Sequence, residues 1–174
     1  MSEFSPAALG VSRVALRLLI VLNWLYGVAI LAGFVASLVA EGPVMTALGV
    51  PPSAETVPLI EGMRVIAALG LVSVPLHYVI LRRLLDIVDS VRARAAFAAA
   101  NTGKLRSIAW AMFGLQVLSV VIGAIAALVS TPAHPLHLDA GFSTSGWLAV
   151  LLLFVLARVF AEGARMRDEL EGTV

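Results

Sequence analysis

The chain has 174 residues, of which 60% are hydrophobic and 13% are charged, and it carries a net charge of +1 with no cysteine. A soluble domain is about 45–50% apolar and about 25% charged, so the excess apolar surface must face lipid. The absence of cysteine excludes disulfides, thiolate metal sites and cysteine nucleophiles.

Four segments are long and apolar enough to cross a membrane as helices. Crossing about 30 Å of hydrocarbon takes about 20 apolar residues, because a helix rises about 1.5 Å per residue. The first uncharged run, Leu18 to Ala40, is longer than the roughly 7–15 residues of a signal-peptide core, so we predict a retained span. The sequence therefore predicts an all-α integral membrane four-helix bundle in one domain, with spans at about 15–40, 59–83, 105–131 and 142–162.

The connections between these spans differ in proline content. Prolines mark loops at 41–58 and 131–141, because proline interrupts helices. The connection 82–106 contains no proline, so we predict helical extensions of the second and third spans. Residues 163–174 follow the fourth span as a charged tail.

The basic residues predict the orientation. Eleven of the twelve Lys and Arg residues lie near the amino terminus, in the connection 82–106 or near the carboxyl terminus, and Arg64 is the exception. Cytoplasmic loops carry the Lys/Arg excess, so we expect both termini and that connection in the cytoplasm. The two proline-containing loops are then outer loops. The chain uses eleven Arg against one Lys and is rich in Ala, a usage typical of GC-rich bacterial genomes. We therefore expect a multi-pass protein of the bacterial plasma (inner) membrane.

Four polar side chains are predicted to lie within or beside the cytoplasmic half of the membrane. Such groups are costly in lipid and tend to face protein or a cavity. Two interpretations stay open, a ligand-binding polar cluster or interhelical hydrogen bonds that fix the packing. The residues are Asn23, His77, Gln116 and Arg158.

The predicted outer side has two further candidates. Glu61 and Arg64 are three residues apart on one helix, so we expect them to pair, either as an interface ion pair or as an outward-facing ligand site. His134, His137 and Asp139 offer metal-ligand chemistry. Their spacing matches no tight metal signature, so we predict a solvated loop, with no metal and no cofactor.

Small residues recur every four positions in two spans, a pattern that lets backbones approach closely in lipid. The approach could occur within the bundle or between copies in a homo-oligomer, and the sequence leaves both open. The two sets are Ala29, Gly33 and Ser37 in the first span and Ser119, Gly123 and Ala127 in the third.

Charged residues on the predicted cytoplasmic side form a candidate docking surface. An apolar stripe runs through Leu84, Ile87, Val88 and Val91, as on an amphipathic helix that could instead rest on anionic lipid. Spacing also lets Glu162 pair with Arg158. The predicted docking residues are Arg92, Arg94, Lys104, Arg106, Glu162, Arg165 and Arg167.

Two stretches resemble a bacterial membrane family catalogued as domain of unknown function 2975. The first runs from Phe97 through Asn101 and Leu105-Arg106 to Trp110, and the second runs from Gly146 to Arg165 with the final Thr173-Val174. Family members often have Asp-Pro or Gly ahead of the phenylalanine, where this chain has Arg94-Ala-Ala, which makes a turn there less expected.

The resemblance implies a four-span protein without an assigned activity, often encoded beside a small Cro-like helix-turn-helix regulator. By association it implies a cytoplasmic DNA-binding partner, with no direct contact between this chain and nucleic acid. The chain has no G-x-S-x-G, no P-loop and no H-E-x-x-H, so we predict no enzyme. We expect a regulatory protein that contacts the lipid bilayer and docks a partner. The alternative is a small oligomeric transporter or ligand-binding membrane protein.

Overall fold

The computed structural model describes residues 6–92, 99–132, 134–136 and 138–171, and within these ranges it contains helices and no strands. All helices except the short α2 are long and apolar enough to cross a membrane. The predicted all-α fold with four membrane-crossing helices is confirmed. The elements are α1 (Pro6–Val39), α2 (Glu41–Ala47), α3 (Val57–Arg92), α4 (Ala99–Val129) and α5 (Thr144–Glu171).

The four long helices bury little of their apolar surface inside the chain. In the most apolar 18-residue stretch of each helix, only 6–11% of the residues are buried. On α1, Trp24, Leu25 and Val39 are more than half exposed. A water-soluble protein rarely exposes contiguous apolar surface on this scale, so lipid is the medium that covers it.

The chain divides into two compact units. The first unit consists of Met1–Asn23, Leu76–Gly114 and Thr144–Val174, and the second consists of Trp24–Pro75 and Leu115–Ser143.

The first unit packs aromatic side chains of α4 against those of α5. Trp110 meets Phe154 edge to face with ring centroids 5.2 Å apart, and Phe113 meets Trp147 in the same way at 5.6 Å. Trp110 and Phe113 also contact each other at 5.7 Å. Edge-to-face pairs of this kind contribute about 0.5–1.5 kcal/mol beyond burial of their area, and they fix α5 on α4 where lipid supplies no hydrophobic driving force.

The second unit has a small apolar core that includes α2. Met45 of α2 packs with Val50, Leu59 and Ile60, and Leu136 covers them from beyond the end of α4. The sequence predicted only a loop over 41–58. The structure forms α2 within it because Pro43 lies in the first helical turn, where a missing N–H costs no hydrogen bond.

After α4, the described residues 130–132, 134–136 and 138–143 turn back along that helix, and we call them the returning segment. The hydroxyl of Ser119 accepts a hydrogen bond from the Gly141 N–H at 3.2 Å and lies 3.3 Å from the Gly141 carbonyl, to which it can donate. Ser119 lies ten residues before the end of α4 at Val129, about 15 Å by helical rise. The returning segment therefore reaches well back along the length of α4.

Small residues on α4 make this close approach feasible. A Cβ atom on Gly123 would lie 2.7 Å from the Cα of Gly141 and 2.9 Å from the Ala140 carbonyl oxygen. Gly141 itself has φ +132°, a conformation that favours glycine. The stripe that includes Ser119 and Gly123 was predicted to pack closely, either within the bundle or against another copy. Within the second unit these two residues pack against the irregular backbone of Ala140 and Gly141.

Candidate functional site

The second unit contains a cavity of about 610 Å³, a volume typical of small-molecule sites. Its wall is mostly apolar and comes from α1, α2, α3, α4 and the returning segment. The polar or charged residues in the wall are Tyr26, Ser37, Arg64, Ser73 and Asp139.

The cavity is long. On α1 its wall extends from Ser37 to Tyr26, eleven residues or about 16 Å by helical rise. On α3 it extends from Arg64 to Ser73, nine residues or about 14 Å. Its Arg64 end lies near α2, and its Tyr26 end lies deep within the span.

Arg64 is the central polar group of the cavity wall. Its Nη2 donates to the Glu41 carboxylate at 2.7 Å and to the carbonyl of Ser37. The Ser37 carbonyl belongs to the last turn of α1, whose carbonyls lack intrahelical partners and form the negative end of the helix dipole. Arg64 therefore caps α1, while its Nε is buried and has no hydrogen-bond partner.

The predicted pairing of Arg64 with Glu61 is wrong. Glu61 is exposed, and the ion pair of Arg64 is with Glu41, twenty-three residues away in the sequence. The chain ends α1 at Val39 and starts α2 at Glu41, which brings the first carboxylate of α2 to the guanidinium. This tertiary contact replaces the local i, i+3 pair.

The predicted polar cluster falls in both units. Asn23, His77 and Arg158 belong to the first unit, and Gln116 belongs to the second. Asn23 is partly buried, whereas His77 and Arg158 are exposed. Gln116 is partly buried, and its side-chain Oε1 is buried without a hydrogen-bond partner. That the four act together stays a prediction.

The predicted docking residues lie in the first unit, and the structure describes four of their side chains. Lys104 donates to the main-chain carbonyl of Asp86 at 3.1 Å, and Arg106 is exposed. Glu162 pairs with Arg165 at 3.1 Å, so the expected pair with Arg158 does not form. The side chains of Arg92, Arg94 and Arg167 lie outside the described part of the chain.

Sequence reasoning missed an ion pair between α1 and α3 in the first unit. Arg13 Nε lies 3.2 Å from a carboxylate oxygen of Asp89, seventy-six residues away. Asp86 lies within 3.8 Å of both Arg82 and Arg83 on its own helix. The local contacts follow from i, i+3 and i, i+4 spacing, whereas no sequence pattern marks the Arg13–Asp89 pair.

The loop that contains His134, His137 and Asp139 was predicted to hold no metal. His134 is partly buried, and His137 lies outside the described residues. Within the described ranges, no group of three or more His, Asp or Glu side chains is arranged to hold a metal ion.

The comparisons with known proteins give one match. The family model described as protein of unknown function (DUF2975) matches residues 21–174. No curated protein and no solved structure matches the chain at a significant level. The family match covers all four membrane-crossing helices in whole or in large part, and the chain therefore belongs to this family of proteins of unknown function.

Proposed function

We propose that this chain is a non-enzymatic regulatory membrane protein that docks a soluble cytoplasmic partner, such as a helix-turn-helix regulator. The docking surface consists of the described residues Lys104, Arg106, Glu162 and Arg165, together with Arg92, Arg94 and Arg167.

The observation that carries the proposal is the surplus of cations in the first unit. Three of its acids are already engaged. Asp89 pairs with Arg13, and Asp86 lies beside Arg82 and Arg83. Glu162 pairs with Arg165. Arg106 is exposed and forms no ion pair with a described residue. A partner with an acidic patch would supply the missing counter-charges and would be attracted over about a Debye length, roughly 8–10 Å.

A salt-sensitive pull-down tests this proposal. The tagged protein, solubilised from native membranes, is expected to retain a cytoplasmic partner at low salt. The double variant Arg106→Gln with Arg165→Gln removes two cations from the docking surface, and we expect about a tenfold loss of affinity, equivalent to about 1.4 kcal/mol.

Arg17→Gln serves as the matched control, because Arg17 is an exposed arginine of α1 in the same unit but outside the docking surface. The proposal requires the control to bind like the unmodified protein. If the double variant and the control bind the partner equally, or if binding does not weaken with salt, the proposed docking surface is wrong.

A further inference from the structure

We infer that the cavity of the second unit binds an amphipathic anion, a molecule with one apolar chain and a single carboxylate or phosphate head. The anionic head of the ligand binds the Arg64 guanidinium, and the apolar chain of the ligand lies along the apolar wall toward Tyr26. This inference is independent of the docking surface, which belongs to the first unit.

The shape of the cavity selects an elongated apolar body. The wall spans about 14–16 Å of helix, and between its polar ends it is lined by groups such as Ile30, Ile66 and Ile122. Gly33 and Gly70 contribute no side chain, which widens the space between α1 and α3. An apolar chain fills such a space without leaving polar groups unpaired.

The charge at the α2 end selects an anionic head. Arg64 is held in the wall by the Ser37 carbonyl, and its side chain is 22% exposed, while its partner Glu41 is 46% exposed. Glu41 is therefore the replaceable member of the pair. An incoming carboxylate or phosphate would accept hydrogen bonds from the guanidinium and release Glu41 to water, whereas an amine head would meet a cation.

Asp139 limits the ligand to one anionic group. It lines the cavity from the returning segment, is exposed, and forms no ion pair with any described residue. A second negative charge along the ligand would meet this carboxylate in a medium that screens charge poorly. The cavity therefore accepts an anionic group only at its Arg64 end.

Irregular backbone in the wall is a second sign of a binding site. Leu138, Asp139 and Ala140 line the cavity with non-helical backbone, beside the stretch of α4 that lies about 9–15 Å before its end. Backbone of this kind is tolerated at membrane depth only when protein buries it or when it lines a cavity. Membrane transport proteins form ligand sites from such segments.

Photolabelling in proteoliposomes tests the inference. The probes are diazirine analogues of palmitic acid, of palmityl alcohol and of a single-chain lysophosphatidic acid, followed by mapping of the labelled peptides. We expect the acid or the phosphate to label second-unit peptides that line the cavity at least about tenfold more than the alcohol does. Labelling by the acid alone identifies a free fatty acid, and labelling by the phosphate identifies a lipid head.

Four variants sharpen the test. Gly33→Leu projects a side chain into the cavity, since nothing lies within 4 Å of the position that its Cβ would take, and it should abolish labelling. Gly10→Leu makes the same exchange on the same helix in the first unit, again with open space at the Cβ, and should leave labelling unchanged. Arg64→Gln should lower the labelling of the cavity peptides by the acid or the phosphate about tenfold. Glu41→Gln should raise that labelling about tenfold, because it removes the competing carboxylate.

The gain expected for Glu41→Gln keeps the inference falsifiable even if Arg64→Gln does not fold, because loss of the competitor leaves the cap on α1 in place. Equal labelling of the cavity by the alcohol and the acid would overturn the inference. Labelling that both Gly33→Leu and Glu41→Gln leave unchanged would do the same.

Discussion

Replacing Gly123 with alanine is expected to lower the melting temperature of the detergent-solubilised protein, with a loss of about 1–3 kcal/mol in the free energy of unfolding. The added Cβ would lie 2.7–2.9 Å from the backbone of Ala140 and Gly141. These are main-chain atoms that cannot rotate aside, so the returning segment must move away from α4. The movement would also stretch the two contacts between Ser119 and Gly141.

Gly33→Ala is the matched control for this variant. It makes the same exchange within a helix of the same unit, but nothing lies within 4 Å of the added Cβ. Because alanine is a better helix former than glycine by about 1 kcal/mol, this control should keep or raise the melting temperature. Thermal unfolding followed by tryptophan fluorescence measures both variants. Equal destabilisation by the two would mean that the returning segment does not pack on Gly123.

Replacing Arg64 with leucine is the second large effect that we expect. The variant leaves the terminal Ser37 carbonyl of α1 without its donor and leaves Glu41 without its partner. A buried acceptor that loses its donor costs about 1–3 kcal/mol. We expect a loss of that size in the free energy of unfolding, measured by denaturant titration in mild detergent.

Glu61→Gln is the control for Arg64→Leu, and it separates the observed ion pair from the one predicted by spacing. Glu61 is exposed and pairs with no described residue, so the change should stay within about 0.5 kcal/mol. A double-mutant cycle should give coupling between Arg64 and Glu41 and none between Arg64 and Glu61. Coupling to Glu61 instead would contradict the position of α2.

The four membrane-crossing helices could be predicted because length and composition alone determine them. An uncharged run such as Leu18 to Ala40 has no other stable state in lipid than a helix. The returning segment could not be predicted in this way. Its course depends on Ser119 meeting Gly141, a contact across twenty-two residues of sequence that has no periodic signal. The prolines of residues 131–141 predicted a loop, but they did not predict that it runs back along α4.

The candidate site was predicted only in part. Arg64 stood out because it is the only basic residue on its predicted side, and it lies in the cavity wall. Its partner was assigned by local spacing, while the structure uses Glu41 from a short helix in a segment whose prolines predicted a loop. Most of the cavity wall consists of apolar residues from five chain segments, and in the sequence each of these residues looks like an ordinary lipid-facing or core position.

We propose that the chain crosses the membrane four times, that the charged connection 82–106 lies on the cytoplasmic side, and that the returning segment runs back along α4. The chain has no cysteine, so single cysteines can be introduced at will. An impermeant maleimide applied to intact cells should label Ser53→Cys and Pro132→Cys, reach Gly103→Cys only after the membrane is opened, and leave Ala140→Cys protected. Labelling of Gly103→Cys from outside, or of Ala140→Cys as readily as Pro132→Cys, would contradict this membrane topology.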